Sequence, residues 1–523
     1  MSEGVVRGYL GIDNGTQGLS IVFTDEELNV LATGEGSYGM VEGLDDGCNE
    51  QRAEDWDGAI QSAMEEIRQA YPHMEVLGIG ISGQMHGEVC VDRNGHVIGT
   101  VRLWCDGRNG PEGHELTKLF QTKVARRSTC ARYLWTIRNQ PQKAAATHHL
   151  TTPAGWIGYQ LTNQWILGIG DASGMFPMNP TTNNYDETLL QAFDDLVSQT
   201  HPGMPSLGSI LPRVGVVGSH TDAMVLSKRG AALLGIPYRP GIAVAPPEGD
   251  QPAALAGSLI AQAGTVSMSF GTSIVANTVA DPQRPFTGVH DGVDHFCAAD
   301  GKPIYMIWIQ NGTTFFNSMV QLHSASSSTT PDFATVMPQL LESPPDCGGV
   351  LALPFLHDEP GVGVHQSGTA LVGLTLENAT PGNVTKAALL APTFNLLKGT
   401  MVLDQQGVAR TEIVLSGGIA KTPECGQIVA NVFNVPLRVL ESGEEGSAWG
   451  GAVLAKYQRI RMMAEEEEEE HTSGWVDFCQ QLQQKKGGKG RRFEPNPKAV
   501  EEYKTTFERY QRLLQIQASL ASV

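Results

Sequence analysis

The sequence contains no unbroken apolar run of the ~18 residues that a membrane-crossing helix needs, and a leader of the secretory kind is not expected. Nor does Ala521-Ser522-Val523 form a peroxisomal address. Cysteine is sparse: Cys48, Cys90, Cys105, Cys130, Cys297, Cys347, Cys425 and Cys479 include no CxxC pair and no metal-like spacing. A disulfide framework and a cysteine zinc site are therefore excluded. Free thiols in a reducing compartment, the cytoplasm by default, are the expectation. The sequons Asn311-Gly312-Thr313 and Asn378-Ala379-Thr380 are then chance matches. Cations are the scarcer charge, 36 Lys and Arg against 56 Asp and Glu, for a formal net charge of −20. That balance excludes nucleic acid and anionic membrane as main partners. It leaves room for a phosphate-bearing ligand, because backbone dipoles and Mg²⁺ hold phosphate inside acidic proteins. A GxxxxGK[ST] phosphate loop is absent.

Glycine is abundant, at 60 residues, alongside 29 prolines and 41% hydrophobic residues, the profile of a turn-rich α/β enzyme. At 523 residues the chain exceeds what one core supports, so two domains are expected. Its organising stretch is Ala243–Ser258. The apolar strand Pro240–Ala245 stops at Pro246-Pro247, the acidic turn Glu248-Gly249-Asp250-Gln251 follows, and Pro252–Ala256 opens a helix. A carboxylate between a strand end and a helix start can take a proton from a hydroxyl or hold a metal ion. Read alone, Asp250 fits the plainer role of a helix N-cap, or a neighbour of it, better.

Its company lies elsewhere in the chain. The strand Tyr9–Asp13 turns at Asn14-Gly15-Thr16-Gln17-Gly18 into Leu19–Phe23, a hairpin whose glycines let backbone N–H groups approach a ligand. After the helix Ala53–Arg68, the buried strand Gly78–Ile81 runs into Ser82-Gly83-Gln84-Met85-His86-Gly87. That loop offers a donor, an apolar wall and an imidazole. Leu103-Trp104-Cys105-Asp106-Gly107-Arg108 ends a further strand in an acid and a base, which either bind hydroxyls or pair with each other. Residues 151–186 are assigned mostly to architecture. Ser267–Phe270 with Gly271-Thr272-Ser273 echoes the first hairpin, which suggests a duplicated core. Glu412–Leu415 and the turn Ser416-Gly417-Gly418 leave room for a flat group against the backbone, and the small-residue helix Ser447–Lys456 is suited to pack on that turn. Residues 465–490, acidic and then Gln-, Lys- and Gly-rich, are expected to be a solvated, disordered insertion without a catalytic role. Helix returns over Pro497–Ala518.

Taken in order, Gly11-Ile12-Asp13-Asn14-Gly15-Thr16, Gly83-Gln84-Met85-His86-Gly87, Leu103-Trp104-Cys105-Asp106-Gly107-Arg108, Gly249-Asp250-Gln251, Phe270-Gly271-Thr272-Ser273 and Ser416-Gly417-Gly418 resemble the FGGY carbohydrate kinases. The sugar-side phrases, with Glu50-Gln51 and Trp56, look most like the xylulokinases among them. The resemblance implies two duplicated actin/hexokinase-type (ribonuclease H-like) α/β domains with a catalytic cleft between them. Residues 1–257 would be the sugar-binding domain and 258–523 the ATP-binding domain. It further implies that Asp250 is the general base and that Asp13 holds Mg²⁺. Thr16, Gln17, Gly271 and Thr272 would clasp the phosphates of ATP, and Gly417 and Gly418 would border the adenosine. Gln84, Met85, His86, Asp106 and Gln251 would line the ketose site beside Asp250, and domain closure would exclude water.

Three positions depart from the family's habit. Ser20 stands where many relatives carry Lys or Arg, Leu353–Pro360 lacks the arginine of the usual Gly-Glu-Arg-Thr-Pro, and Gly155 replaces an acid before Trp156. The expected partners are a small ketose, D-xylulose first, and ATP, with a homodimer left open. Ribulose, sedoheptulose or a polyol is the second substrate reading. A weakened sugar or nucleotide sensor is the reading from another class. An actin- or chaperone-like ATPase would lack the Gly-Gln-Met-His-Gly loop.

Overall fold

The first strand, Val6–Asn14, buries both faces, with Leu10 and Ile12 turned to one side and Tyr9 to the other. It folds back antiparallel into Gly18–Asp25, placing Asp13 opposite Ser20. Along its other edge it runs parallel to Met74–Gly83, with Asp13 beside Ser82. The computed structural model describes residues 5–324, 330–440, 446–466, 474–486 and 490–521. They fall into two units: 1–261 with 295–303 and 443–486, and 262–294 with 304–442 and 487–523.

In the first unit the sheet order is Met224–Val225, Ala243–Val244, Met74–Gly83, Val6–Asn14, Gly18–Asp25 and Val30–Ser37, and Glu248–Gly249 also pairs with Met74–Gly83. Helix Ala53–Ala70 buries Trp56, Ile60, Met64 and Ile67, spaced three and four apart as one apolar stripe. A second helix, Ser447–Glu466, packs its Ala448, Trp449, Ala452 and Val453 with Tyr9 and Val22. Its approach to the sheet is unusually close. A Cβ at Gly11 would lie 1.8 Å from the carbonyl oxygen of Ala448, and one at Gly80 1.8 Å from that of Gly451. Only glycine fits at those two strand positions.

The second unit repeats the device. Thr265–Phe270 turns back into Ile274–Val279 and runs parallel to Glu412–Gly417, as Val6–Asn14 does with its two neighbours. The sheet continues through Pro303–Ile309 on one side and Leu437–Val439 and Arg492–Phe493 on the other. The long helix Pro381–Gln405, together with Cys425–Phe433 and Pro497–Gln515, fills the core around Phe394, Val429, Phe507 and Tyr510. The two-domain α/β fold with a duplicated sheet device stands as expected.

Ser447–Glu466 packs on the strands of Gly11 and Gly80, where its small residues match glycines in the first sheet. Residues 443–486 group with the first unit. Within the supposed disordered insertion, Trp475–Lys485 is a helix with Trp475, Phe478, Cys479 and Leu482 buried. Those side chains supply the apolar face that the surrounding charge conceals in the composition. The rest of the acidic run, residues 467–473, and residues 487–489 lie outside the described residues.

Candidate active site

Three strand ends lie side by side in the first unit: Asp13 is in register with Ser82, and Glu248 pairs with Ser82 as well. Asp250 follows at once as the first residue of the helix Asp250–Gly257. Gly249 is the N-cap and no side chain caps this helix, so the Asp250 carboxylate is not spent on the N-cap role. Burial pushes the Asp250 carboxyl up to about 7, with the charge of Asp13 adding to the rise and the Gln251 N–H and the Arg127 charge opposing it. Burial also raises Asp13, against the Ser82 hydroxyl that donates to its Oδ1 at 2.8 Å. Gln251 sits next along the helix, half-buried.

The hairpin turn is held from below by amides. The Thr16 hydroxyl donates to Gln84 Oε1 at 3.2 Å and accepts from the Trp104 indole at 3.0 Å. Gln84 Nε2 donates to Gln51 Oε1 at 2.9 Å, and Gln51 Nε2 donates to the Thr16 carbonyl at 2.8 Å. Gln84 is thus a buried brace under the turn, while Gln17 is exposed on it.

Met85 is buried and His86 adopts a left-handed φ of 67°. His86 Nδ1 lies 2.9 Å from the Gly174 carbonyl, and Arg127 Nε donates to Nε2 at 3.3 Å. A carbonyl on one side and a donor on the other fix the neutral ring with its proton on Nδ1. Arg132 anchors the loop from beneath, donating to the carbonyls of His86 at 3.1 Å, Trp104 at 2.6 Å and Asp106 at 3.2 Å. Asp106 itself is taken up within the protein. Arg108 Nε reaches both of its oxygens, at 3.0 and 3.1 Å, and the Asn49 N–H donates at 2.9 Å. Burial alone would raise the Asp106 carboxyl, but Arg108 and the Asn49 N–H hold it below its ordinary value. Of the two roles open to this acid and base, pairing is the one observed.

Three residues here escape motif reading, Arg127, Arg132 and Asp171, and Glu248, legible only as part of the acidic turn, joins them. Asp171 and Glu248 are fully buried, and Glu248 Oε2 accepts the Asp171 N–H at 2.9 Å. Thr152 donates to Asp171 Oδ2 at 2.5 Å, while Oδ1 has no hydrogen-bond partner among the described residues. A Cβ built on Gly249 would stand 3.2 Å from that Oδ1, so Asp171 abuts the residue before Asp250. Available signals were a lone acid in the small-residue helix Ile169–Met175 and an arginine within the largely buried helix Thr129–Asn139.

The second unit carries the remaining expected residues. Phe270 is in parallel register with Gly417, so the Gly271-Thr272 turn and the Gly417-Gly418 turn emerge from neighbouring strand ends. Gly417 has φ 83°, and a Cβ there would lie 2.6 Å from the Phe270 carbonyl oxygen. Among the described residues no group of three or more His, Cys, Asp or Glu could cage a metal ion. Mg²⁺ in phosphoryl-transfer sites takes one or two carboxylates plus phosphate oxygens and retained waters, which the half-buried Asp13 carboxylate fits. No helix among the described residues is long and apolar enough to cross a membrane.

A xylulose kinase of Haemophilus influenzae is 26% identical over 466 residues, covering 86% of this chain and 90% of the relative. The crystal structure of a xylulose kinase from Brucella ovis superposes with a TM-score of 0.79 at 22% identity, covering 98% of this chain and 99% of the other. A Plasmodium falciparum glycerol kinase with ADP superposes with a TM-score of 0.78 at 17% identity, covering 99% of this chain and 100% of the other. The fold alone therefore does not choose the acceptor. The N-terminal domain of the FGGY family of carbohydrate kinases matches residues 8–257 and its C-terminal domain residues 266–459. With both halves matched in order, the chain belongs to the FGGY family of carbohydrate kinases and is an ATP-dependent sugar kinase.

Proposed function

We propose that this kinase transfers the γ-phosphate of ATP to the terminal hydroxyl of D-xylulose, with Asp250 as the general base. The observation that carries this reading is the Asp250 carboxyl. It starts a helix without capping it, lies two residues after Glu248, which pairs with Ser82, and is raised to about 7. A base poised there is half-ionised near neutral pH and can accept the hydroxyl proton as oxygen attacks phosphorus. Met85, His86 and Gln251 would line the sugar, with His86 offering a ring of fixed tautomer. Gln84 would act one step back, by bracing Thr16. Thr16, Gln17, Gly271 and Thr272 would hold the phosphates, and Gly417 and Gly418 the adenosine. Asp13 would hold Mg²⁺, which supplies charge neutralisation on the phosphates.

The experiment is ketose-stimulated ADP release with ATP and Mg²⁺ over D-xylulose, L-xylulose, D- and L-ribulose, sedoheptulose and glycerol, with Asp250→Asn as control. Strong stimulation by D-xylulose, lost in Asp250→Asn with ADP binding retained, is expected. Full turnover by Asp250→Asn would sink the base assignment, and stimulation by another acceptor alone would replace the substrate. That second reading, another ketose or a polyol, draws support from Asp106, whose carboxylate is occupied by Arg108 and is not offered to a sugar.

A further inference from the structure

The loop that departs from the family's habit, Leu353–Pro360, ends on a buried carboxylate whose bonds lead to the Gly271-Thr272 turn. Glu359 is 3% exposed. Its backbone is pinned by exchange with Val364, N–H to carbonyl at 2.7 Å and the return bond at 3.1 Å, around the short turn Pro360–Val362. Its Oε2 accepts both the backbone N–H of Asn311 at 2.9 Å and the side-chain Nδ2 at 3.0 Å. Asn311 also exchanges bonds with the His357 backbone, accepting its N–H at 2.9 Å on Oδ1 and donating to its carbonyl at 3.1 Å. Every polar atom of the Asn311 side chain is thereby committed to this loop.

The two residues after Asn311 carry the hold to the turn. The Gly312 N–H donates to the Thr272 carbonyl at 3.0 Å, and the Thr313 N–H to the Gly271 carbonyl at 2.9 Å. The Thr313 hydroxyl adds a bond to the same Gly271 carbonyl at 2.8 Å. Contact is tight: a Cβ on Gly312 would lie 2.6 Å from each of those carbonyl oxygens. With their carbonyls held on this side, Gly271 and Thr272 have little freedom to reorient their peptide planes. Phosphate-binding turns depend on N–H groups aimed in advance, and binding weakens when they must be ordered by the ligand.

We propose that Asn311 and Glu359 are positioning residues for nucleotide binding, a clamp that presets the Gly271-Thr272 turn. The clamp rests on the reading of that turn as a phosphate site. It also gives the departing loop a task that does not need the missing arginine.

The test is calorimetric titration of MgADP into full-length Asn311→Ala, with Glu359→Gln as the near-isosteric second variant and Thr272→Val as the probe of the turn. Protection by D-xylulose against thermal unfolding is read in parallel. Asn311→Ala is expected to weaken MgADP by about tenfold, the loss of one buried hydrogen-bonding group. Glu359→Gln, which keeps one acceptor oxygen, is expected to lose less, and sugar protection to stay at the parent level. If Thr272→Val weakens MgADP and Asn311→Ala does not, the clamp is overturned and the turn assignment stands. If neither substitution moves MgADP, the clamp is overturned and the Thr272 hydroxyl is not a phosphate ligand. Equal loss of nucleotide and sugar binding in Asn311→Ala would show a general structural role and also overturn the clamp.

Discussion

Glu248 accepts the backbone N–H of Asp171 at 2.9 Å, so two fully buried carboxyls adjoin beside the residue that precedes Asp250. Burial pushes Asp171 up to about 8, against its Thr152 bond and with the Asp250 charge adding to the rise. Burial likewise raises Glu248, with Asp171 adding and the N–H groups of Gly170 and Asp171 opposing. A carboxyl raised on folding contributes stability that is fully present below its unfolded pKa and is lost as pH climbs toward the folded one. For Asp171 that window runs from 3.8 to about 8. Asp171→Asn should therefore flatten the pH dependence, removing a slope of up to ~1.4 kcal/mol per pH unit. Melting temperatures of parent and variant at pH 5 and pH 8 read this directly, and an unchanged difference between them would refute it.

Room for Glu248 is made by glycine. A Cβ on Gly168 would lie 2.3 Å from Glu248 Oε1, and one on Gly170 2.4 Å from Oε2. Gly170→Ala should cost ~1–3 kcal/mol as an overpacked core. The same substitution in a Glu248→Ala background should cost less but not nothing, because the colliding carboxyl is gone while Pro252 Cγ still lies 2.5 Å from the added Cβ. A double-mutant cycle by denaturant unfolding measures the difference, and additive costs would mean that the clash is relieved some other way.

The rate should follow the Asp250 carboxyl. The proposed role of Asp250 as general base requires the ionised carboxylate, so kcat/KM is expected to fall as pH drops through about 7. Arg127 lowers Asp250, so Arg127→Met should move this acid limb to higher pH while also freeing the His86 ring from one of its partners. A pH–rate profile of the variant with an unmoved limb would remove Arg127 from the electrostatics of the base.

What the sequence made legible was local. The hairpin turns, the Gly-Gln-Met-His-Gly loop and the strand end at Asp250 are each continuous stretches, and strand pairing then brings Asp13, Ser82 and Glu248 into register. What stayed hidden depends on partners far along the chain. Asp171 meets Glu248 across 77 residues, and Arg132 reaches the His86 carbonyl across 46. No period or spacing announces such bonds. Asp106 shows the reverse case: the motif is visible, but whether its acid faces a ligand or Arg108 is decided only by the fold. The helix Ser447–Glu466 was readable as small-residue and close-packing, yet its partner glycines lie more than 360 positions earlier, at 11 and 80.

The helix Trp475–Lys485 lies where composition suggests a disordered insertion without a catalytic role. Trp475, Phe478, Cys479 and Leu482 fall at steps of three, one and three, a single helical face, and all four are buried. Tyr457 meets the Trp475 ring edge-on at 5.0 Å and Phe478 at 5.1 Å, so the segment is fastened to the helix Ser447–Glu466. That helix in turn rests on Gly11 and Gly80, in the strands that carry Asp13 and Ser82. Trp475→Ala should cost ~3–5 kcal/mol, as expected for a large aromatic removed from a core. Excising 474–486 should lower the melting temperature and kcat together, because the support beneath those strands is loosened. Replacing Gln484, exposed on the polar side of the same helix, should do neither. Thermal melts and turnover of these variants separate the alternatives: if excision leaves both stability and rate at the parent level, the helix is an ornament and the coupling through Tyr457 is wrong.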